Sequence, residues 1–173
     1  MRPVDSRRRP SPRSQRSKVV LPSRRRMAAP EFPKRPVPAV GAIVFRGSQV
    51  LLVRRRRPPN QRRWSIPGGA MELGETVAQA VIRETREETR VKVRPVEVIT
   101  VSDFIEKEGE RVHWHYVLVD VLCAYVQGEP HPGSDAENAR FVEMRELGEF
   151  DVTPTALEVV EQALLARRGG SER

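Results

Sequence analysis

The segment GGAMELGETVAQAVIRETREETRV, Gly68 to Val91, holds Glu72, Glu75, Glu84, Glu87 and Glu88. In a helix turning about 100° per residue, Glu84, Glu87 and Glu88 fall within one arc of about 100° that they share with Ala80. Glu84 and Glu88 are like charges one turn apart, which destabilises a helix by roughly a few tenths of a kcal/mol unless a cation sits between them. A hard divalent ion with oxygen ligands, Mg²⁺ first, suits three carboxylates. Gly68 and Gly69 permit a tight turn whose bare backbone could add a carbonyl ligand. The competing reading is a solvated acidic face balanced by basic neighbours. Arg83 stands four residues before Glu87, but Arg86 stands four before Arg90, so that balance is incomplete. Composition alone leaves both readings open.

The elements that must position these groups are legible in outline. AVGAIVFRGSQVLLVRR reads as a hairpin of two β-branched-rich runs joined around Gly47 and Ser48, and WSIPGG as a short strand stopped by a Pro-Gly-Gly turn. A helical period covers about Thr76 to Thr89, with Ala78, Val81, Ile82, Thr85 and Thr89 as its sheet-facing stripe. Strands follow near Val96 to Ile105, His113 to Tyr125 and Ala139 to Val142, then a closing helix from Pro154 to Arg167. Mixed strands with two helices predict an α/β sandwich, and no internal repeat interrupts it.

Charge divides the chain differently. The net charge is +8 over 173 residues, yet residues 1–36 contain twelve Lys or Arg against Asp5 and Glu31, so residues 37–173 are slightly acidic. The basic segment is rich in proline and has almost no apolar run, so it is read as a disordered tail able to bind polyanions weakly and without specificity. Neither an apolar signal-peptide region nor a stretch of about 18 apolar residues is present, and the expected compartment is the cytoplasm. The lone Cys123, inside YVLVDVLCAYV, reads as a buried structural thiol in a reducing compartment.

The spacing adds what composition leaves open. Gly69, Glu75, Arg83, Glu84, Glu87 and Glu88 stand at the offsets of the Nudix signature, and this segment resembles that of the Nudix hydrolases. AVGAIVFRGSQVLLVRRRRPP, RRWSIPGG, VHWHYVLVDVLC and GSDAENARFV are similar, in order, to the bacterial ADP-ribose pyrophosphatase-like branch. The resemblance covers about residues 37–168, leaving 1–36 as the tail and 169–173 as a flexible C-terminus. It implies an α/β/α sandwich with a mixed sheet and Mg²⁺-dependent hydrolysis of a nucleoside diphosphate linked to another moiety. ADP-ribose, giving AMP and ribose 5-phosphate, is the first expectation. A nucleoside-triphosphate hydrolase, an RNA-end hydrolase and a non-catalytic nucleotide-binding protein are the alternatives.

Carried over by residue, the resemblance implies that Gly68, Glu84, Glu87 and Glu88 hold Mg²⁺, for which Mn²⁺ can substitute, and that Arg83 orients a carboxylate such as Glu75. The general base is expected in the loop HPGSDAENA, with Glu137 favoured over Asp135. Arg54 and Arg55 are expected to meet the substrate phosphates, and Trp64 is a candidate base-stacking residue alongside Phe45, Trp114 and Tyr116. A homodimer is compatible with this reading. Two positions depart from the signature: Thr85 fills an aliphatic slot, and Arg90 stands where the signature has glycine.

If the tail contributes no packing, a chain starting at Met27 will keep its melting midpoint and its turnover of ADP-ribose while losing affinity for polyanions. A lowered midpoint would show that the tail docks on the domain.

Overall fold

The computed structural model describes residues 31–133 and 135–169. Of the disordered tail expected over residues 1–36, residues 1–30 lie outside them, as do residues 170–173 of the flexible C-terminus expected over 169–173. Residues 31–36 are not free of the domain: the Phe32 amide donates to the His113 carbonyl at 2.9 Å, and its ring stacks on His113 at 4.7 Å.

β1 (Val37–Arg46) and β2 (Gln49–Arg55) form the expected hairpin, with Gly47 in the left-handed region at φ 63°. Two short strands follow, β3 (Trp64–Ser65) and β4 (Gly68–Ala70), then helix α1 (Val77–Thr89). The long hairpin β5 (Lys92–Glu108) and β6 (Arg111–Gln127), β7 (Ala136–Glu143), a 3-10 turn (Met144–Glu149) and α2 (Pro154–Gly169) complete the chain. The sheet runs β3-β2-β1-β6-β5, with β4 joined to β1 and β7 to β2. It is mixed because β1 and β6 are parallel while the other pairs are antiparallel.

The hairpin opens into a fork. β1 meets β2 only at Phe45↔Val50 and Arg46↔Gln49, while β7 occupies the other edge of β2 along its length. The free parts of the two facing edges are taken by the segment after Arg63: β3 pairs with Val53 and Arg54, and β4 with Ala39 to Gly41. The strand of WSIPGG ends before its proline as expected, but the two glycines open a second strand, β4, rather than a turn. Pro67 has no N–H to donate, but its carbonyl accepts from Ala42 at 2.8 Å and keeps the wedge in register. At Gly68 a Cβ would lie 2.1 Å from the Val40 carbonyl oxygen, so this position needs glycine because the strands approach so closely.

The two faces follow the period-2 alternation of the strands. Val40, Ala42 and Val44 of β1, with Leu51 and Phe141, pack under Ala80 and Val81 of α1. Ile43, Phe45, Val50, Leu52 and Val142 pack under Ala156, Val159, Val160 and Ala163 of α2. This is the expected α/β/α arrangement. Among the described residues no helix is long and apolar enough to cross a membrane.

The buried stripe of α1 differs from the expected one. Ala78 and Ile82 face solvent, while Ala80, Val81, Glu84, Thr85, Glu88 and Thr89 are buried. The helix is rotated so that two carboxylates share the face that packs on the sheet, because polar partners described below meet them there. Thr85 donates to the Val81 carbonyl at 2.8 Å, which lets a hydroxyl occupy the aliphatic slot.

The helix ends on Arg90 at φ 64° and ψ 0°, left-handed geometry that favours glycine. Replacing Arg90 by Gly is expected to raise stability by about 0.5–1 kcal/mol, read from chemical denaturation, since the side chain is exposed. A loss of stability would reveal a contact made by Arg90 itself.

Asp120 of β6 lies over Gly41, where a Cβ would stand 2.1 Å from its Oδ1, and burial pushes its pKa up to about 6. The folded state therefore holds this proton more tightly than the unfolded chain does, and stability falls as pH rises from about 4 through 6. Asp120→Asn should add roughly 2 kcal/mol at pH 8 and nothing below pH 4, measured by denaturation at both values. A gain that does not change with pH would contradict this account.

Candidate active site

The signature helix starts from a capping box: the Thr76 hydroxyl accepts from the Gln79 amide at 3.2 Å, and the Gln79 side chain accepts from the Thr76 amide at 2.8 Å. Glu75 immediately precedes this cap, and Arg83 reaches back two turns to it. The Arg83 Nε donates to Glu75 at 2.9 Å, with a second bond from Nη2, and Glu75 also accepts from the Glu72 amide at 2.6 Å. The Arg83 hydrogen bonds hold the Glu75 carboxyl below the usual carboxylate range, and the same bonds push the guanidinium pKa up.

One guanidinium touches several groups. Arg83 Nη1 donates to Glu84 at 2.6 Å and lies 3.7 Å from Glu87, while Nη2 donates to the Ala70 carbonyl at 3.2 Å. Arg83 thus links the turn before α1, the carboxylates on it and the end of β4.

Glu84 is wholly buried and Glu88 is 6% exposed. The Glu88 Oε2 accepts from the Gly68 amide at 2.9 Å, and the Glu88 carbonyl accepts from the Gly133 amide at 2.9 Å. Glu88 therefore joins β4, α1 and the loop before β7. The Glu87 side chain is half exposed. Among the described residues no three His, Cys, Asp or Glu side chains converge as a metal cluster. Their chemistry nonetheless fits a hard divalent cation, since two buried carboxylates lie one turn apart on one face and a third stands at its rim.

Beside them a cavity of about 180 Å³ opens in the fork between β1 and β2. Gly68, Glu88, Asp135, Arg55, Phe104 and Tyr116 border it. Phe104 and Tyr116 are cross-strand partners on β5 and β6, with ring centroids 6.2 Å apart. Tyr116 is among the residues expected here, whereas Phe104 carries no local signal in the sequence and its place follows from the register of the long hairpin. The buried Asp120 has no periodic signal either, being a single acid in an apolar run.

The other expected residues are distributed as follows. Arg55 faces the cavity and donates to the Pro59 carbonyl at 2.9 Å, whereas Arg54 donates to the Arg62 carbonyl at 2.9 Å and does not line it. Trp64 is also outside the lining, packed edge-on against Phe150 at 5.4 Å in the core beneath α2. Phe45 is core and Trp114 is buried between His113 and Tyr116. Asp135 lines the cavity 3.7 Å from Arg57, while Glu137 lies 3.6 Å from Arg54 away from the lining. Burial pushes the Cys123 thiol up to about 12, so it is an inert packing group.

Comparison with known proteins gives the same frame. The family profile described as NUDIX domain matches residues 35–163. An ADP-ribose pyrophosphatase of Methanocaldococcus jannaschii is 30% identical over 112 residues, covering 65% of this chain and 64% of that protein. The NAD-capped RNA hydrolase NudC of Pseudomonas aeruginosa is 31% identical over 136 residues, covering 78% of this chain and 46% of that protein. The chain thus spans less than two thirds of the length of these relatives. A MutT Nudix hydrolase of Burkholderia pseudomallei superposes with a TM-score of 0.66 at 27% identity, covering 75% of this chain and 98% of that one. The Nudix domain of Shewanella oneidensis NrtR, solved with ADP-ribose, gives 0.65 at 20% identity over 77% of this chain and 89% of that one. With the profile matching most of the chain and the signature carboxylates gathered where α1 meets the fork, this protein belongs to the Nudix family.

Proposed function

We propose that the chain is a metal-dependent pyrophosphohydrolase acting on a nucleoside diphosphate linked to another moiety, with ADP-ribose, hydrolysed to AMP and ribose 5-phosphate, as the first substrate. The observation that carries this is the burial of Glu84 and Glu88 on the helix face beside a cavity that Arg55, Arg56 and Arg57 also border. Of these two carboxylates Glu88 borders the cavity itself, so an acidic group for a cation and guanidinium groups for phosphate share one opening. Relatives named ADP-ribose pyrophosphatase, and a fold neighbour whose structure contains ADP-ribose, support the choice of substrate.

Glu84, Glu87 and Glu88, with the Gly68 carbonyl, would hold Mg²⁺ or Mn²⁺. When bound, the metal neutralises pyrophosphate charge and acidifies water. The chain's own groups do the rest. Arg83 fixes Glu75 and Glu84, so the carboxylate face is set before substrate arrives. The arginines beside the cavity orient the diphosphate, and Phe104 and Tyr116 offer ring faces to a nucleobase. A base takes a proton from the attacking water, the new P–O bond forms, and the bridging P–O bond breaks with its electrons leaving on the departing phosphate. Asp135 suits that base because it borders the cavity together with Glu88, whereas Glu137 is turned to Arg54.

The NudC relative and the basic segment favour a second reading, hydrolysis of a capped RNA end. A panel of ADP-ribose, dinucleotides, nucleoside triphosphates and NAD-capped RNA, each with Mg²⁺ and Mn²⁺, decides between them. Fastest turnover of ADP-ribose supports the first reading, and a capped RNA preferred in a salt-sensitive manner supports the second.

Glu84→Gln and Glu88→Gln are each expected to lower kcat by about 100-fold or more while the melting midpoint stays within a few degrees, because shape and hydrogen-bonding oxygen are retained. Chelation of divalent ions should abolish turnover of the parent chain. Full activity in both variants would overturn the metal role. Asp135→Asn should depress kcat with little effect on metal affinity, and a larger loss in Glu137→Gln would return the base to Glu137.

A further inference from the structure

The loop between β6 and β7 is bound to the C-terminal end of α1 by its backbone. The His131 amide donates to the Thr89 carbonyl at 2.9 Å, and the Gly133 amide donates to the Glu88 carbonyl at 2.9 Å. Both acceptors belong to the last turn of a helix, whose carbonyls have no partner within the helix. The loop therefore serves as the helix's terminal cap, and one of the two carbonyls it holds is that of Glu88.

Gly133 makes this contact close. A Cβ there would lie 1.8 Å from the Glu87 carbonyl oxygen and 3.2 Å from the Glu88 Cα, and both are backbone atoms of a helix packed on the sheet through Ala80, Val81 and Thr85. Its φ is outside the left-handed region, so conformation does not demand glycine here. Space does. On the other side of the contact the chain is anchored again: Ala136 is buried against Val53 and Ala139, and its amide reaches back to the Gly133 carbonyl at 3.4 Å. Asp135 stands between these two anchors and borders the cavity that Glu88 also borders.

We propose that Gly133 is a positioning residue that sets the distance between the Asp135 carboxylate and the metal-binding face of α1 by letting the loop touch the backbone of Glu87 and Glu88. This rests on the reading of Asp135 as the base. Any side chain at 133 lifts the loop from the helix, and the displacement reaches Asp135, which precedes the Ala136 anchor. Displacing a reacting group by about 1 Å can cost as much as 100-fold in rate.

The test is a double-mutant cycle on the full chain, using ADP-ribose or whichever panel substrate is turned over fastest. Gly133→Ala should lower kcat by about 10- to 100-fold and leave KM within about threefold. In an Asp135→Asn background the same substitution should have almost no further effect, because the base it misplaces is already gone. Equal fold losses in both backgrounds would make Gly133 a general structural residue and overturn the proposal. Wild-type kcat in Gly133→Ala would overturn it too. Asp135→Asn at wild-type rate, with Glu84→Gln inactive, would remove the base assignment, and the proposal with it, while sparing the metal site.

Two further measurements cover other failures. Where Gly133→Ala does not fold, one glycine inserted after Gly133 keeps the helix contact but lengthens the tether. It should give the same kcat loss, and full activity there would refute the positioning role. Amide hydrogen exchange reads the contact without any substrate: Gly133→Ala should expose the residue 131 amide while the interior of α1 stays protected. Unchanged protection at 131 would show that the loop had not lifted.

Discussion

Two carboxylates in the interface between a helix and a sheet constrain everything around them. Removing an ion from water costs several kcal/mol even after relaxation, so Glu84 and Glu88 can be buried only where fixed partners meet them. Arg83 meets Glu84, and the Gly68 amide meets Glu88. From these needs follow the capped turn that brings Glu75 to Arg83, the wedge that carries Gly68 across the fork, and the rotation of α1 that places Ile82 in solvent. An apolar stripe would have packed this helix with fewer demands on its neighbours. The fold instead accepts a costly interface, which suits a site that a cation completes.

How much of this was legible in the sequence depended on whether the signal was local. The capped helix, the hairpin at Gly47 and the two-sided core follow from spacing and alternation, and the structure has them within a few residues of where periodicity put them. Thr85 and Arg90 stand out because each departs from the signature that the segment resembles, and the structure gives each a physical account in a back-bonded hydroxyl and a left-handed helix end. The stripe of α1 departs from the periodic expectation because hydrophobicity alone assigns Glu84 and Glu88 to solvent. Only the partners contributed by β4 and Arg83 reverse that assignment.

Non-local geometry hid the rest. Phe104 faces the cavity because the hairpin register sets it opposite Tyr116, and Asp120 is buried because Gly41 leaves room for it. The arginine run suggested a phosphate site, yet most of these side chains bind loop carbonyls or neighbouring acids, and the direct border of the cavity is Arg55 to Arg57. Trp64 reads as a stacking residue in isolation, but the fold uses it to join the wedge to the core under α2.

The wedge has a consequence for how this chain tolerates change. Residues 64–70 are fastened by backbone bonds on two sides, to Val53 and Arg54 on β2 and to Ala39, Val40 and Gly41 on β1. Such bonds hold the backbone itself, so the connection before the wedge can gain or lose residues without shifting Gly68 beneath Glu88, whereas the connection after it is tied to the helix by Glu75 and Arg83. The connection before it, which includes Pro58 to Asn60, also forms one wall of the cavity. Insertions there would reshape the opening while the carboxylate face stayed in place, so a scaffold of this kind can exchange its clientele by loop replacement alone.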